Sequence, residues 1–201
     1  MRIAVFASHG GSDLQAIMDG CREKKIRGEV VVVISNNGDS LALKRAEKEG
    51  IDRFHISEET EGGKEALTER LLSVLDAYRP DMIFLAGYMK LLDPRILERY
   101  RDRVFNIHPA LLPKYGGRGM YDMKVHTAVL EAGEKETGVT IHRVNAVYDS
   151  GEIIAQAKVP VLPGDTPESL RERVLEREHL FLVEILSEIA DGKIRLGETA
   201  L

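Results

Sequence analysis

Four consecutive valines followed by isoleucine, Val30-Val31-Val32-Val33-Ile34, make a run too short for a helix and rich in β-branched side chains. Such a run, Val30–Ser35, is expected to be a strand buried on both faces, which in turn demands neighbouring strands and covering helices. Ile3–Ala7 has the same texture. Between the two, Leu14, Ile17, Met18 and Cys21 recur at i, i+3, i+4 and i+7, the core stripe of a helix. The pattern then repeats. Leu41 to Glu49 reads as a helix, and Leu67, Leu71, Val74, Leu75 and Tyr78 mark another. Asp81–Ala86 is expected to be a third central strand and Val104–Ile107 a fourth. Asp93-Pro94 supplies an N-cap and a Pro at the first helical position, opening a short helix to Tyr100. Strands alternating with helices in this way imply βαβ units and a parallel sheet.

After residue 108 the texture changes. Pro109 to Tyr121 carries two prolines and three glycines and reads as a long loop, a length that in a compact domain is usually functional or disordered. A helix is expected near Met123–Glu131. Val139–Val144 and Ile153–Val161 read as strands joined by Asn145–Glu152. Thr166-Pro167 opens a last long helix holding Leu170, Val174, Phe181, Ile185 and Ile189 and ending near Gly192. The expected fold is one α/β domain over residues 1–201. It has three layers, a Rossmann-like, mostly parallel sheet with helices on both faces, and an antiparallel excursion at the C-terminal edge.

Composition narrows the function classes. The formal charge is −5 over 201 residues with acids and bases interspersed, there is no Trp, and aromatics are 5%. A basic stripe and stacking platforms for nucleic acid are therefore missing. No uncharged stretch exceeds ten residues, against roughly 20 for a bilayer span. Met1 leads straight into a strand rather than into a secretory leader. The single cysteine, Cys21, excludes an internal disulfide. These features lead us to expect a cytoplasmic protein with small-molecule partners, no nucleic acid and no membrane, as a monomer or homodimer.

Three segments carry candidate chemistry. Ser8-His9-Gly10-Gly11-Ser12-Asp13 follows the first strand and opens a helix. It reads either as an anion site built from free helix N–H groups or as a tight turn capped by Ser12 or Asp13. Asp13 is awkward beside a phosphate because the two charges repel. Asn106-Ile107-His108-Pro109 ends the Val104 strand, on the side of an open sheet where ligands bind. Alternation puts Asn106 and His108 on one face, where an amide can donate to an oxyanion and an imidazole can handle a proton. A strand-end His satisfied by backbone is the alternative. Tyr148-Asp149-Ser150-Gly151 follows the Gly138-x-Thr140-x-His142 strand. Asp149 held near His108 is expected to orient the ring and raise its pKa above about 6.5, although Asp-Ser-Gly also serves as a plain turn. His142 reads as a structural polar residue with a secondary candidacy on the substrate side. None of the usual zinc spacings occurs, so no metal is expected.

Asn106-Ile107-His108-Pro109-Ala110-Leu111-Leu112-Pro113-Lys114-Tyr115 resembles the signature loop of the folate-dependent formyltransferases, and the resemblance covers nearly the whole chain. It is nearest to the purine-biosynthesis branch. The resemblance implies 10-formyltetrahydrofolate as formyl donor and the amine of glycinamide ribonucleotide as acceptor. It implies Asn106, His108 and Asp149 as catalytic residues. Gly10, Gly11, Ser12 and Asp13 are implied for the substrate phosphate, and Glu178 for the ribose. Lys64, Met89, Lys90, Leu91, Leu92 and Tyr148 are implied for folate. It also assigns about 1–100 to a nucleotide half and about 101–201 to a catalytic and folate half, and suggests a cis Leu112–Pro113 bond.

The chain departs from the family pattern in two places. His9 and Asp13 stand where members usually have Gly and Asn, and Gly116-Gly117-Arg118-Gly119-Met120-Tyr121 replaces a Pro-Gly. Arg118 is a secondary candidate for offsetting the charge of Asp13. The rivals are formyl transfer to initiator tRNA or an amino-sugar nucleotide, hydrolysis of formyltetrahydrofolate, and a non-catalytic ligand-binding module. The first two groups resemble this core with a further domain of about a hundred residues or a regulatory domain, for which 201 residues leave no room. A pure binder has no need of the Asn–His–Asp set.

Overall fold

A computed structural model describes residues 1–196. Seven strands, β1 (Arg2–Phe6), β2 (Glu29–Ser35), β3 (Arg53–His55), β4 (Met82–Leu85), β5 (Val104–His108), β6 (Glu136–Arg143) and β7 (Ile153–Pro160), form one sheet in the order β3-β2-β1-β4-β5-β6-β7. The pairs from β3 to β5 are parallel, while β5–β6 and β6–β7 are antiparallel. The α/β class, the mostly parallel sheet and the antiparallel edge are as expected from the sequence.

The four central strands, β2, β1, β4 and β5, feed two cores. Ile3 and Val5 of β1, Met82 and Phe84 of β4, and Phe105 and Ile107 of β5 point to one face. That face is covered by α1 (Ser12–Arg22), α2 (Leu41–Lys48), α6 (Met123–Glu131) and α7 (Pro167–Ala190). Ala4, Phe6, Ile83, Leu85 and Val104 point to the other, beneath α4 (Lys64–Tyr78) and α5 (Pro94–Arg99). In β2 the register slips between Ile3↔Val30 and Ala4↔Val32, a bulge that puts Val30 and Val33 on one side and Val32 and Ile34 on the other.

Two elements escape the sequence pattern. β3 is a three-residue edge strand and α3 (Glu58–Glu61) a four-residue turn held by a Ser57–Thr60 capping box. Both are too short and too polar to show periodicity, so Asp81–Ala86 and Val104–Ile107 are the fourth and fifth strands rather than the third and fourth. β6 also begins earlier than Val139, because Glu136, Thr137 and Gly138 pair with Pro160, Val159 and Lys158. The expected caps hold at Asp93, which accepts from Arg95 N–H, and at Thr166, in a capping box with Ser169. At α1 they do not. Its N-cap is Gly11, left-handed at φ 67°, and neither Ser12 nor Asp13 caps the helix.

The chain runs outward from β1 to β3, then returns to β4 and β5 on the opposite side, so the loops after β1 and β4 diverge. They are tied together at their bases. Ser8 N–H donates to the Gly87 carbonyl at 3.1 Å, and Met89 N–H donates to Ser8 Oγ at 2.8 Å. Ser8 Oγ in turn donates to Asn36 Oδ1 at 2.6 Å. From the other side α2 closes on the glycine turn: Arg45 Nε donates to the Gly10 carbonyl at 2.9 Å, and Ala42 N–H to the His9 carbonyl at 3.1 Å.

Gly11 is obligatory at this junction. A Cβ there would lie 2.8 Å from Ala42 Cα on a backbone with φ +67°. Gly11→Ala is expected to cost about 2–4 kcal/mol, from the left-handed penalty and overpacking together. Urea unfolding checks this; an unchanged midpoint would show that the turn relaxes freely.

Candidate active site

The C-terminal ends of β1, β4 and β5 open into a cleft of about 670 Å³. On β5, Val104, Asn106 and His108 share a face, but only Val104 lies under the α4–α5 layer. Beyond that cover the strand leaves Asn106 and His108 to the cleft. Pairing with β6 sets Asn106 opposite His142 and His108 opposite Thr140. Two residues on each strand, both spaced by two, therefore make a polar patch on one sheet face.

Asp149 completes it from the β6–β7 connection, on a left-handed backbone at φ 53°. Its Oδ2 accepts from Gly117 N–H at 2.9 Å and stands 3.6 Å from His108 Nδ1. Its Oδ1 lies 3.4 Å from Asn106 Nδ2 and 3.6 Å from His142 Nε2. Gly151 lets the connection close, since a Cβ there would run into the Arg143 carbonyl.

The partners settle the tautomers. His142 Nδ1 faces the Arg143 carbonyl at 2.8 Å, so it carries the proton, and Nε2 accepts from Asn106 Nδ2 at 3.0 Å. An amide facing two acceptors must present its nitrogen, which fixes the Asn106 orientation. His108 Nε2 faces the Tyr115 carbonyl at 2.7 Å and must donate to it. In neutral His108 the Nδ1 lone pair therefore looks across 3.6 Å at the Asp149 carboxylate. That is too long for a direct hydrogen bond and suits one bridging proton donor.

The expected rise in the pKa of His108 is not found. Burial lowers it, and this outweighs the upward pull of Asp149 and of the Tyr115 hydrogen bond, so His108 sits below its ordinary 6.5. The cause is the 109–121 loop, which folds over the ring and leaves it 4% exposed. Asp149 moves the opposite way. Burial pushes it up, but the His142 and His108 rings, once they carry a second proton, and the Gly117 N–H together hold it below the usual carboxylate range.

The loop is braced from outside. Thr140 Oγ1 donates to the Ala110 carbonyl at 2.6 Å and accepts from Leu112 N–H at 3.1 Å. Gln156 Nε2 reaches the Leu112 carbonyl at 3.0 Å, and Tyr115 OH donates to Glu134 at 2.9 Å. The Leu112–Pro113 bond is cis, as the resemblance suggested.

Of the other sequence candidates, Asp13, Met89, Lys90, Leu91, Leu92, Arg118, His142, Tyr148 and Glu178 line the cleft. Gly10, Gly11 and Ser12 lie beside it without lining it, and Lys64 stands exposed at the start of α4, away from it. Met89, Leu91, Tyr121 and Val147, among the few large apolar side chains exposed on the described surface, gather on its walls. Among the described residues no cluster of three His, Cys, Asp or Glu stands where it could hold a metal ion. Sequence reasoning missed Gly117, the Tyr115 carbonyl, Thr140 and Gln156. Of these only Thr140 had a readable signal, its spacing of two from His142.

The family model "Formyl transferase" matches residues 1–186. Phosphoribosylglycinamide formyltransferase of Escherichia coli is 40% identical over 100% of this chain and 92% of its own length. The chloroplastic enzyme of that name from Arabidopsis thaliana is 40% identical, covering 98% of this chain and 68% of its own. Among solved structures, glycinamide ribonucleotide transformylase 1 from Symbiobacterium toebii superposes with a TM-score of 0.89 at 41% identity, over 99% of this chain and 92% of that one. A formyltetrahydrofolate deformylase from Pseudomonas syringae, at 24% identity and a TM-score of 0.86, shares the fold. The chain belongs to the formyl transferase family.

Proposed function

We propose that this protein transfers the formyl group of 10-formyltetrahydrofolate to the primary amine of glycinamide ribonucleotide, the formyl-transfer step of purine biosynthesis. The observation that carries the reading is the buried Asp149 carboxylate set against Asn106, His108 and His142 at the strand ends. Formyl transfer needs a donor for the developing oxyanion and an acceptor for the amine's proton. Asn106 Nδ2 is the donor: one N–H stays on His142, and the other leaves its long 3.4 Å contact with Asp149 for the oxyanion. The lone pairs of Asp149 and of neutral His108 face each other across a gap that admits the proton donor. The proton is passed between them and on to the folate nitrogen that leaves.

The folate supplies the carbon that moves. Met89, Leu91 and Leu92 give its ring an apolar wall, with Lys90 and Tyr148 also lining the cleft, and Lys64, outside the lining, is assigned to an outlying carboxylate of its tail. The nucleotide phosphate goes to the N-terminus of α1, at Gly10, Gly11, Ser12 and Asp13. The first-turn N–H groups there have no side-chain cap. Glu178 takes the ribose and Arg118 supplies a cation from the facing loop. We read about 1–100 as the nucleotide half and about 101–201 as the catalytic and folate half, with α7 lending Glu178 to the nucleotide and the segment after β4 lending Met89 to the folate. The reading applies alike to a monomer and to a homodimer. A cytoplasmic location goes with two charged, water-soluble substrates.

The deciding assay follows folate release by absorbance, with and without glycinamide ribonucleotide. Release that requires the nucleotide and vanishes in His108→Ala supports the reading, whereas release without it would mean hydrolysis.

Asp149→Asn keeps the shape and removes the charge, and kcat is expected to fall about 10²–10⁴-fold. A variant within about threefold of the parent would remove Asp149 from the mechanism. In histidine-labelled protein, NMR should show His108 titrating below 6.5, the direction that burial imposes. In Asp149→Asn it should titrate lower still, because the carboxylate that favours the imidazolium is gone. A His108 titrating above 6.5 would reverse the assigned protonation state.

A further inference from the structure

The nucleotide end of the cleft holds two acids where an anion is to be bound. Asp13, in the first turn of α1, and Glu178, in α7, both line it and are 9% and 7% exposed. Asp13 Oδ1 is buried without a hydrogen-bond partner. The nearest ionisable nitrogen, His179 Nε2 of α7, stands 3.5 Å away and is equally unpartnered. Burial, and then the charge of Arg45, holds His179 below its ordinary pKa, so it brings no positive charge to the corner. Arg45 of α2 is engaged with Gly10 and Gln15, and Arg171 of α7 with Asp122. His9 lines the cleft from the glycine turn. Among the described residues none of these donates a hydrogen bond to Asp13.

An ionised carboxylate so placed is costly, and a phosphate dianion beside it makes it more so. A neutral carboxylic acid has neither penalty. It also has the shape of an Asn side chain, the residue usual at this position in the family, with a hydroxyl in place of the amide donor. We propose that Asp13 holds the acceptor's phosphate as the neutral acid, its hydroxyl donating to a phosphate oxygen, so that nucleotide binding takes up one proton. The inference rests on the phosphorylated acceptor proposed above.

The titration of the pair runs in the required direction. Burial pushes Asp13 up to about 6, and burial followed by the Asp13 charge pushes Glu178 well above the usual carboxylate range. Above about pH 6 the free Asp13 is ionised and must regain a proton to bind, so affinity falls as pH rises, by about tenfold per unit. Below about pH 6 the dependence disappears. If Asp13 instead stayed ionised in a pair with a protonated His179, no such slope would exist.

The test is calorimetric titration of glycinamide ribonucleotide into the full chain and into Asp13→Asn, from about pH 6 to 8.5, in buffers of different ionisation heat. The ionisation of the phosphate and amine of the ligand cancels in the comparison. The ratio of the two dissociation constants should grow about tenfold per pH unit in favour of Asp13→Asn. At about pH 7.5 the parent should take up about one proton more than the variant. A constant ratio with equal proton counts would overturn the proposal, while leaving formyl transfer to this acceptor untouched if the folate-release assay shows it. Failure of both proteins to bind the nucleotide at about pH 6 would overturn the acceptor and the proposal together.

Discussion

A carboxylate taken out of water must be compensated where it lies, and Asp149 is compensated by three separate stretches of chain. Gly117 N–H comes from the 109–121 loop, Asn106 from β5, and His142 of β6 holds the Asn106 amide in place, with His108 opposite. An unpaired buried charge costs several kcal/mol, so each contributor is held to its place by the demands of the others. The loop's winding backbone, with Tyr115 at φ 57° and Gly117 at φ 97°, is stable in that company. The same loop then buries His108, which is why the ring prefers to be neutral. One charge thus shapes the loop, and the loop sets the protonation state of the neighbouring base.

The sheet delivers these groups through ordinary pleating. Five parallel strands need apolar residues on both faces, and β5 meets this with Val104, Phe105 and Ile107 until it passes the end of the α4–α5 cover. There the requirement lapses and polar side chains can follow. The antiparallel partner β6 is built the same way, with Val139 and Ile141 facing one core while Thr140 turns to the loop backbone and His142 to the cleft. The chemistry sits where the core stops demanding hydrophobes.

What the sequence made legible follows from this. Val30–Ile34 and Asp81–Ala86 announce buried strands because both faces are apolar, and the spacing of Asn106 and His108 announces a shared face. β3 was illegible because three residues at an edge, with Phe54 alone among them apolar, carry no period. The direction of the His108 pKa was illegible for a different reason. Local spacing shows a carboxylate nearby, but burial comes from a loop whose path depends on Gly117, Thr140 and Gln156. The uncapped start of α1 was ambiguous, since Ser12 and Asp13 are good capping residues in isolation. Glu178 had a signal that periodicity supports: it falls in register with Leu170, Val174 and Phe181, a charged residue on the core stripe of α7.

The bracing around Thr140 is uneven across the cleft. The catalytic side is cross-tied, with the Thr140 hydroxyl and the Gln156 amide holding the loop backbone at Ala110 and Leu112. The ordering entropy of that loop is therefore spent when the chain folds rather than when a substrate arrives. At the nucleotide corner Arg45 and Ala42 hold the turn backbone, but the Asp13 Oδ1 and His179 Nε2 atoms are unpartnered. Substitution is tolerated differently in the two regions. In related chains the catalytic side is expected to drift only through compensating pairs, while the unpartnered side chains near the start of α1, Asp13 and His179, are free to change one residue at a time around a fixed Gly11. New acceptor preferences are then expected to arise there first, on an unaltered reaction centre.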